Sequence, residues 1–163
     1  MKQLPIIWYR LVKAGETCIR CGETYRELEK ATVKLKASLL PLNIEVVFQR
    51  KELTEEEFNV DPPKSNEVWI ADKPLEQWLG AQVGMSPCSS VCAGSSCRTL
   101  QMGEEIYETI PEELFINAGL KAAGEMLGSH SRATASSCCT GSCGELLMSY
   151  GPGRPRNTKA NFG

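Results

Sequence analysis

The sequence predicts an α/β fold, and three stretches of chain carry that expectation. Residues 4–12, Leu-Pro-Ile-Ile-Trp-Tyr-Arg-Leu-Val, are rich in β-branched and aromatic side chains and read as a strand. Tyr25, Leu28, Thr32, Leu35 and Leu39 then recur at spacings of three and four, lining one face of a long helix. Ile44–Arg50 follows as a second strand, and its consecutive Val46, Val47 and Phe48 predict burial on both faces. A strand, a helix of about six turns and another strand make a βαβ unit. Its crossover is expected to be right-handed.

Each boundary has a local cause. Gly15-Glu16-Thr17 ends the first strand, and Thr17 is the expected N-cap of the helix. Pro41 stops that helix, because its ring excludes a further helical turn. Thr54-Glu-Glu-Glu57 has capping-box form and starts a short helix, which Asp61-Pro-Pro-Lys-Ser-Asn66 breaks. Glu67–Ala71 predicts a third strand, Asp72-Lys-Pro74 a turn, and Leu75–Leu79 the return limb of a hairpin. Gly80 to Gly103 is rich in Gly, Ser and Cys with weak periodicity, and is expected to be largely loop. Pro111 opens a final helix through Leu114, Ala118, Ala122 and Leu127. The expected order is β-α-β-(α)-β-β-α, with a cysteine-rich loop inserted before the last helix. Trp8, Trp69 and Trp78 fall on strands as packing residues. Glu104, Glu105, Glu108, Glu112 and Glu113 are expected to form a solvated acidic face.

Residues 1–127 are expected to be the folded domain. Residues 128–163 carry four basic side chains against one acid and are crowded with Ser, Gly and Pro, the composition of a flexible tail. A length of 163 residues suits one domain with a short appendage, and 42% hydrophobic against 23% charged residues exclude wholesale disorder. The net charge of −2 gives no general attraction to nucleic acid, and two arginines in Gly151-Pro-Gly-Arg-Pro-Arg156 are too few to supply one. No apolar run approaches the roughly 18 residues of a membrane span. The opening apolar stretch ends at Arg10, too early for a secretory signal, so a cytoplasmic protein is expected, with neither nucleic-acid nor membrane partners. Phosphate-loop, dinucleotide and serine-elbow motifs are absent.

Eight cysteines then become the informative feature, since the cytosol keeps thiols reduced and disfavours a disulfide framework. The single His130 argues against sites that need several imidazoles, and itself reads as solvent-facing. Cys18-Ile-Arg-Cys21 sits between the first strand and its helix. A thiol at a helix N-terminus faces the positive end of the macrodipole, which favours thiolate, and Arg20 adds a cation. A two-residue spacer lets the sulfurs reach disulfide distance. Half of a zinc or iron–sulfur site is the alternative, and two incidental thiols the plainest one.

A Cys-x-x-Cys in a βαβ context is the thioredoxin-like redox signature, and the expected element order is that of the thioredoxin fold. In that fold a proline loop before the third strand faces the dithiol. Here Ser65-Asn66-Glu67 occupies the place, with Asn66 where the proline belongs unless Pro63 serves. Gly15-Glu-Thr-Cys-Ile-Arg-Cys-Gly22, Asn43-Ile-Glu-Val-Val47, Ser65-Asn-Glu-Val-Trp-Ile70 and Pro74-Leu-Glu-Gln-Trp-Leu-Gly80 narrow the likeness. So do Ser86-Pro-Cys88, Cys92, Cys97-Arg-Thr99 and Ile110-Pro-Glu-Glu-Leu114. Together, over about residues 3–125, they resemble an uncharacterised prokaryotic thioredoxin-like family, filed as a domain of unknown function. The resemblance implies a fold and a cysteine pattern; it implies no activity.

Two further cysteine groups remain. Cys88-x₃-Cys92-x₄-Cys97 matches neither zinc-ribbon nor ferredoxin spacing, yet a Gly/Ser loop can wrap three thiols around a soft cation. Cys18 or Cys21 would then supply a fourth sulfur for zinc or an iron–sulfur cluster. Alternatively, one of the three resolves a disulfide formed at Cys18. Cys138, Cys139 and Cys143 cluster in the tail and suit a thiophilic ion such as Hg(II), As(III), Cu(I) or Zn(II), or a mobile dithiol. Two functions follow. In one, a thiol–disulfide oxidoreductase or redox sensor uses Cys18 as nucleophile and Cys21 as resolving thiol, with protein thiols or disulfides as partners. In the other, a binding protein without turnover holds zinc, an iron–sulfur centre or a toxic soft metal.

Overall fold

Lys2–Leu11 (β1) pairs in parallel with Ile44–Leu53 (β2) along its whole length, from Lys2 opposite Ile44 to Leu11 opposite Leu53. A parallel pair needs a crossover, and Ile19–Leu39 (α1) supplies it. The other edge of β1 takes Val68–Ile70 (β3) antiparallel, with Ile7 opposite Trp69, and Lys73–Pro74 (β4) adds a short outer rung. The sheet order is β2-β1-β3-β4. A second antiparallel sheet holds Gln82–Pro87 (β5), Ser96–Met102 (β6) and Glu105–Tyr107 (β7) in that order. Short helices Glu55–Val60 (α2) and Leu75–Leu79 (α3) and the long Glu112–Gly128 (α4) complete this mixed α/β architecture. The computed structural model describes residues 1–88 and 95–128. No described helix is long and apolar enough to cross a membrane.

Central position explains the burial of β1: Leu4, Ile6 and Trp8 are fully covered. β2 is the sheet edge, so Val46 is buried while Val47 and Phe48 are only partly covered, against the expectation of burial on both faces. Along α1, Leu28, Thr32, Leu35 and Leu39 form the expected buried stripe, and Tyr25 stacks on Trp8 with ring centroids 5.1 Å apart. Pro41 falls within a 3₁₀ turn, Leu40–Leu42, and Asn43 reverses the chain at φ 60°. Thr54 and Glu57 form the reciprocal capping box that opens α2.

Three expectations are corrected. Leu75–Leu79 is helical rather than a return strand, because a spacing of three turns Leu75 and Trp78 inward together and Gly80 ends the turn at φ 65°. The described residues between Gly80 and Gly103 are mostly sheet: buried Arg98 and Thr99 interrupt the apolar alternation of β6, so its period does not appear in the sequence. β5 runs close against this strand; a Cβ on Gly84 would stand 2.7 Å from Thr99 Oγ1. Glu112 is not part of a solvated face. It is buried at the start of α4 and pairs with Lys34 of α1 at 2.8 Å. The tail at 128–163 lies outside the described residues but for Gly128.

α1 and α4 pack side by side, with Phe115, Ala118 and Ala122 of α4 buried at the core. Their approach depends on Gly119, where a Cβ would meet Leu35 Cδ1 at 2.6 Å. Leu35 is fully buried and has no room to retreat without disturbing its neighbours. Overpacking of this kind costs about 1–3 kcal/mol, offset by roughly 1 kcal/mol of better helix propensity for alanine. Gly119→Ala is therefore expected to lower unfolding free energy by about 1 kcal/mol in a denaturant titration. Neutral or stabilised behaviour would show that the two helices are not in that contact.

Candidate functional site

The site begins where β1 gives way to α1. A tight turn, closed by reciprocal backbone bonds between Lys13 and Glu16, carries the chain back toward the sheet. Thr17 was the expected cap, but its hydroxyl donates to the Leu11 carbonyl at 3.1 Å and locks this turn. Cys18 caps the helix in its place. Its backbone is extended (φ −68°, ψ 157°), and its sulfur accepts the Cys21 N–H at 3.4 Å, the role an oxygen fills at an ordinary N-cap.

Cys88 and Cys97 reach the same spot from the second sheet. Ser86 pairs opposite Cys97, and the Cys88 N–H donates to the Ser95 carbonyl at 3.0 Å, so the ladder continues past Pro87. Side chains alternate along a strand, which places Cys88 two residues beyond Ser86 on the face that carries Cys97. The result is a cluster: the sulfurs of Cys18, Cys88 and Cys97 all lie within 4.8 Å of one another, and all three residues are buried. Cys21 adjoins the cluster without joining that mutual set; its sulfur lies 3.8 Å from Ser65 Oγ, which accepts the Leu11 N–H at 3.2 Å. The four described cysteines are thiols. Cys92, Cys138, Cys139, Cys143 and His130 fall outside the described residues.

Two arginines next to the cysteines fix the segments. Arg20 donates from Nη1 to Ser86 Oγ at 2.6 Å and from Nη2 to the Pro87 carbonyl at 3.0 Å, tying the start of α1 to the residue before Cys88. Glu108 balances it, 2.9 Å from Nη2. Arg20 is thus a cation beside the cysteine segments, itself paired with Glu108. Arg98, adjoining Cys97, is buried and donates to the Pro63 carbonyl at 2.9 Å and to Glu76 at 2.6 Å. Arg98 and Glu76 escaped sequence reasoning because a buried ion pair leaves no period. Their only signal was the placement of Arg98 directly after a cysteine.

The loop before β3 meets Cys21 through Ser65, while Asn66 beside it turns to β1 and α1. Asn66, at φ 69°, accepts from Trp8 Nε1 at 3.0 Å through Oδ1 and donates from Nδ2 to Thr24 Oγ1 at 3.2 Å. Pro63 instead offers its carbonyl to Arg98.

Hydrogen bonds set the protonation of the cluster. The Cys21 and Cys97 thiols direct their hydrogens toward the Cys18 sulfur, and with the Cys21 backbone N–H and the Cys88 thiol they outweigh the burial that opposes its charge. Cys18 is held well below the ordinary thiol range. Cys97 moves up, because its proton is committed to Cys18 and burial adds to the effect. A lowered pKa means that thiolate persists as pH falls. At about pH 5–6, below the ordinary thiol value, the reduced chain is expected to keep one thiolate's ultraviolet absorbance that Cys18→Ser lacks. An absorbance that first rises near the ordinary thiol pKa would contradict this.

No solved structure matches the chain. An uncharacterised protein of Archaeoglobus fulgidus is 49% identical over 112 residues, covering 69% of this chain and 82% of its own length. The family model described as "Domain of unknown function (DUF2703)" matches residues 4–119, a span that holds Cys18, Cys21, Cys88 and Cys97 together with Arg20, Ser65, Asn66 and Arg98. The chain belongs to this DUF2703 family.

Proposed function

We propose that the protein binds a soft, thiophilic cation through Cys18, Cys88 and Cys97. The convergence of these three buried sulfurs from three separate segments, within 4.8 Å of one another, carries the proposal. At a metal–sulfur distance of about 2.3 Å, three sulfurs sharing one ion stand about 3.8–4.0 Å apart. Small side-chain rotations bring the cluster to that spacing. Soft thiolates select soft ions, and a buried centre suits a resident or captured ion better than a large protein disulfide. Zinc and an iron–sulfur cluster belong to this class of occupant. We place the chemistry in the reducing cytoplasm, where the thiols stay available. The tail thiols Cys138, Cys139 and Cys143 would act there as a capture site that passes ions to the core.

Thiol–disulfide exchange is the second reading, favoured by the seating of Cys18 at the N-cap of α1. The strand order β2-β1-β3-β4, with β1 and β2 parallel and β3 antiparallel, supports a thioredoxin-like architecture around it. In this chemistry the Cys18 thiolate attacks a disulfide sulfur and expels one thiolate. Cys21 then attacks Cys18, forming the Cys18–Cys21 disulfide and releasing the second thiol. The substrate disulfide is reduced and the protein dithiol oxidised.

The test uses the full chain carrying Cys92, Cys138, Cys139 and Cys143→Ser, reduced and free of oxygen. Cadmium is expected to bind at one ion per chain with a sulfur-to-metal absorption band. Adding Cys97→Ser or Cys88→Ser should lower affinity about 100-fold, and Arg20→Met, which removes no ligand, about 10-fold. No band at stoichiometric cadmium would end the proposal. Turnover of a small disulfide reagent, lost in Cys21→Ser at the mixed-disulfide stage, would favour exchange.

A further inference from the structure

We propose that the Cys18–Cys88–Cys97 centre is built for trivalent p-block ions taken up as neutral hydroxides, arsenite and antimonite, in preference to divalent zinc; this rests on the soft-cation reading above. Ligand number is the first reason. Three sulfurs form the mutual set, while Cys21 stands outside it with its sulfur 3.8 Å from Ser65 Oγ. Structural zinc closes its shell with four ligands. A trivalent p-block ion completes its valence with three thiolates and a lone pair.

Charge is the second reason. Cys18, Cys88 and Cys97 are 1%, 8% and 3% exposed, and the Cys88 and Cys97 thiol hydrogen bonds that support a charge on Cys18 in the empty cluster are given up once those thiols become ligands, so a net charge on the filled centre is costly to hold. Arsenic(III) on three thiolates is uncharged. Zinc on the same three leaves one negative charge, and with Cys21 as a fourth ligand it leaves two. The cations nearest in sequence are engaged elsewhere: Arg20 pairs with Glu108 at 2.9 Å and Arg98 with Glu76 at 2.6 Å. A neutral centre needs no such partner.

Uptake is a ligand exchange without electron transfer. Three As–O bonds of arsenous acid break and three As–S bonds form, and each thiol proton leaves on a hydroxide as water. A proton that Cys18 has already lost is replaced from solvent. Arsenic stays trivalent, and a neutral reactant gives a neutral product, so desolvation on entry is cheaper than for a hydrated dication.

The same variant with Cys92, Cys138, Cys139 and Cys143→Ser tests this with arsenite, antimonite and zinc as probes. Arsenic X-ray absorption is expected to give three sulfur neighbours and no oxygen, at one arsenic per chain. Equimolar zinc should leave the arsenic in place. Cys21→Ser should change arsenite affinity less than about 3-fold, whereas Cys88→Ser lowers it about 100-fold. Displacement by equimolar zinc, or equal losses in Cys21→Ser and Cys88→Ser, would overturn the trivalent preference and leave the soft-cation proposal standing. Failure of arsenite, zinc and cadmium alike would end both. The X-ray absorption measurement keeps all four core cysteines, so it decides the point even if a ligand variant fails to fold.

Discussion

The structure turns on one buried side chain, Asn66. Its amide joins Trp8 of β1 to Thr24 of α1, and Thr24 in turn accepts the Ile110 N–H ahead of α4 at 3.3 Å. Its own N–H donates to the Tyr9 carbonyl at 2.8 Å. Sheet, crossover helix and final helix are thereby tied at one point, one helical turn from Cys21. A buried polar chain of this kind stabilises only when every member is satisfied, and its directionality fixes the rotation of α1 as apolar packing alone cannot. The positive φ at Asn66 suits asparagine, the residue type other than glycine that tolerates it most readily. Asn66 is thus a structural hub.

Rotation of α1 matters because it aims Cys18. The helix start offers unpaired N–H groups, and the Cys18 sulfur takes one of them. The second sheet must then arrive in register to deliver two more sulfurs. Arg20 and Arg98 secure that arrival, each against a backbone carbonyl and a glutamate. Both ion pairs are short-range and partly shielded, which makes them suited to fixing geometry more than to adding stability. In the proposed function, ligand set, burial and charge balance favour an ion that neutralises three thiolates.

Local signals in the sequence were legible where one element decided them. The α1 stripe, the capping box at Thr54 and a cysteine at a helix start all follow from residues within a few positions. Leu75–Leu79 was misread because five residues cannot separate a helical spacing from a strand when a tryptophan lies among them. β5 and β6 were hidden by Gly84, Arg98 and Thr99, whose fitness depends on partners far along the chain. Thr17 was a better cap by type than Cys18, yet its hydroxyl was already committed to Leu11. That Cys88 and Cys97 meet Cys18 rests on the register between two sheets, a long-range fact that no local spacing encodes.

In the proposed function, three cysteines distant in sequence share one ion. A proton–cadmium correlation spectrum of the cadmium-loaded, reduced full chain decides this, since scalar coupling passes only through metal–sulfur bonds. Correlations to the β-protons of Cys18, Cys88 and Cys97 from a single cadmium resonance are expected. Correlations confined to Cys18 and Cys21, or to the tail cysteines, would contradict it.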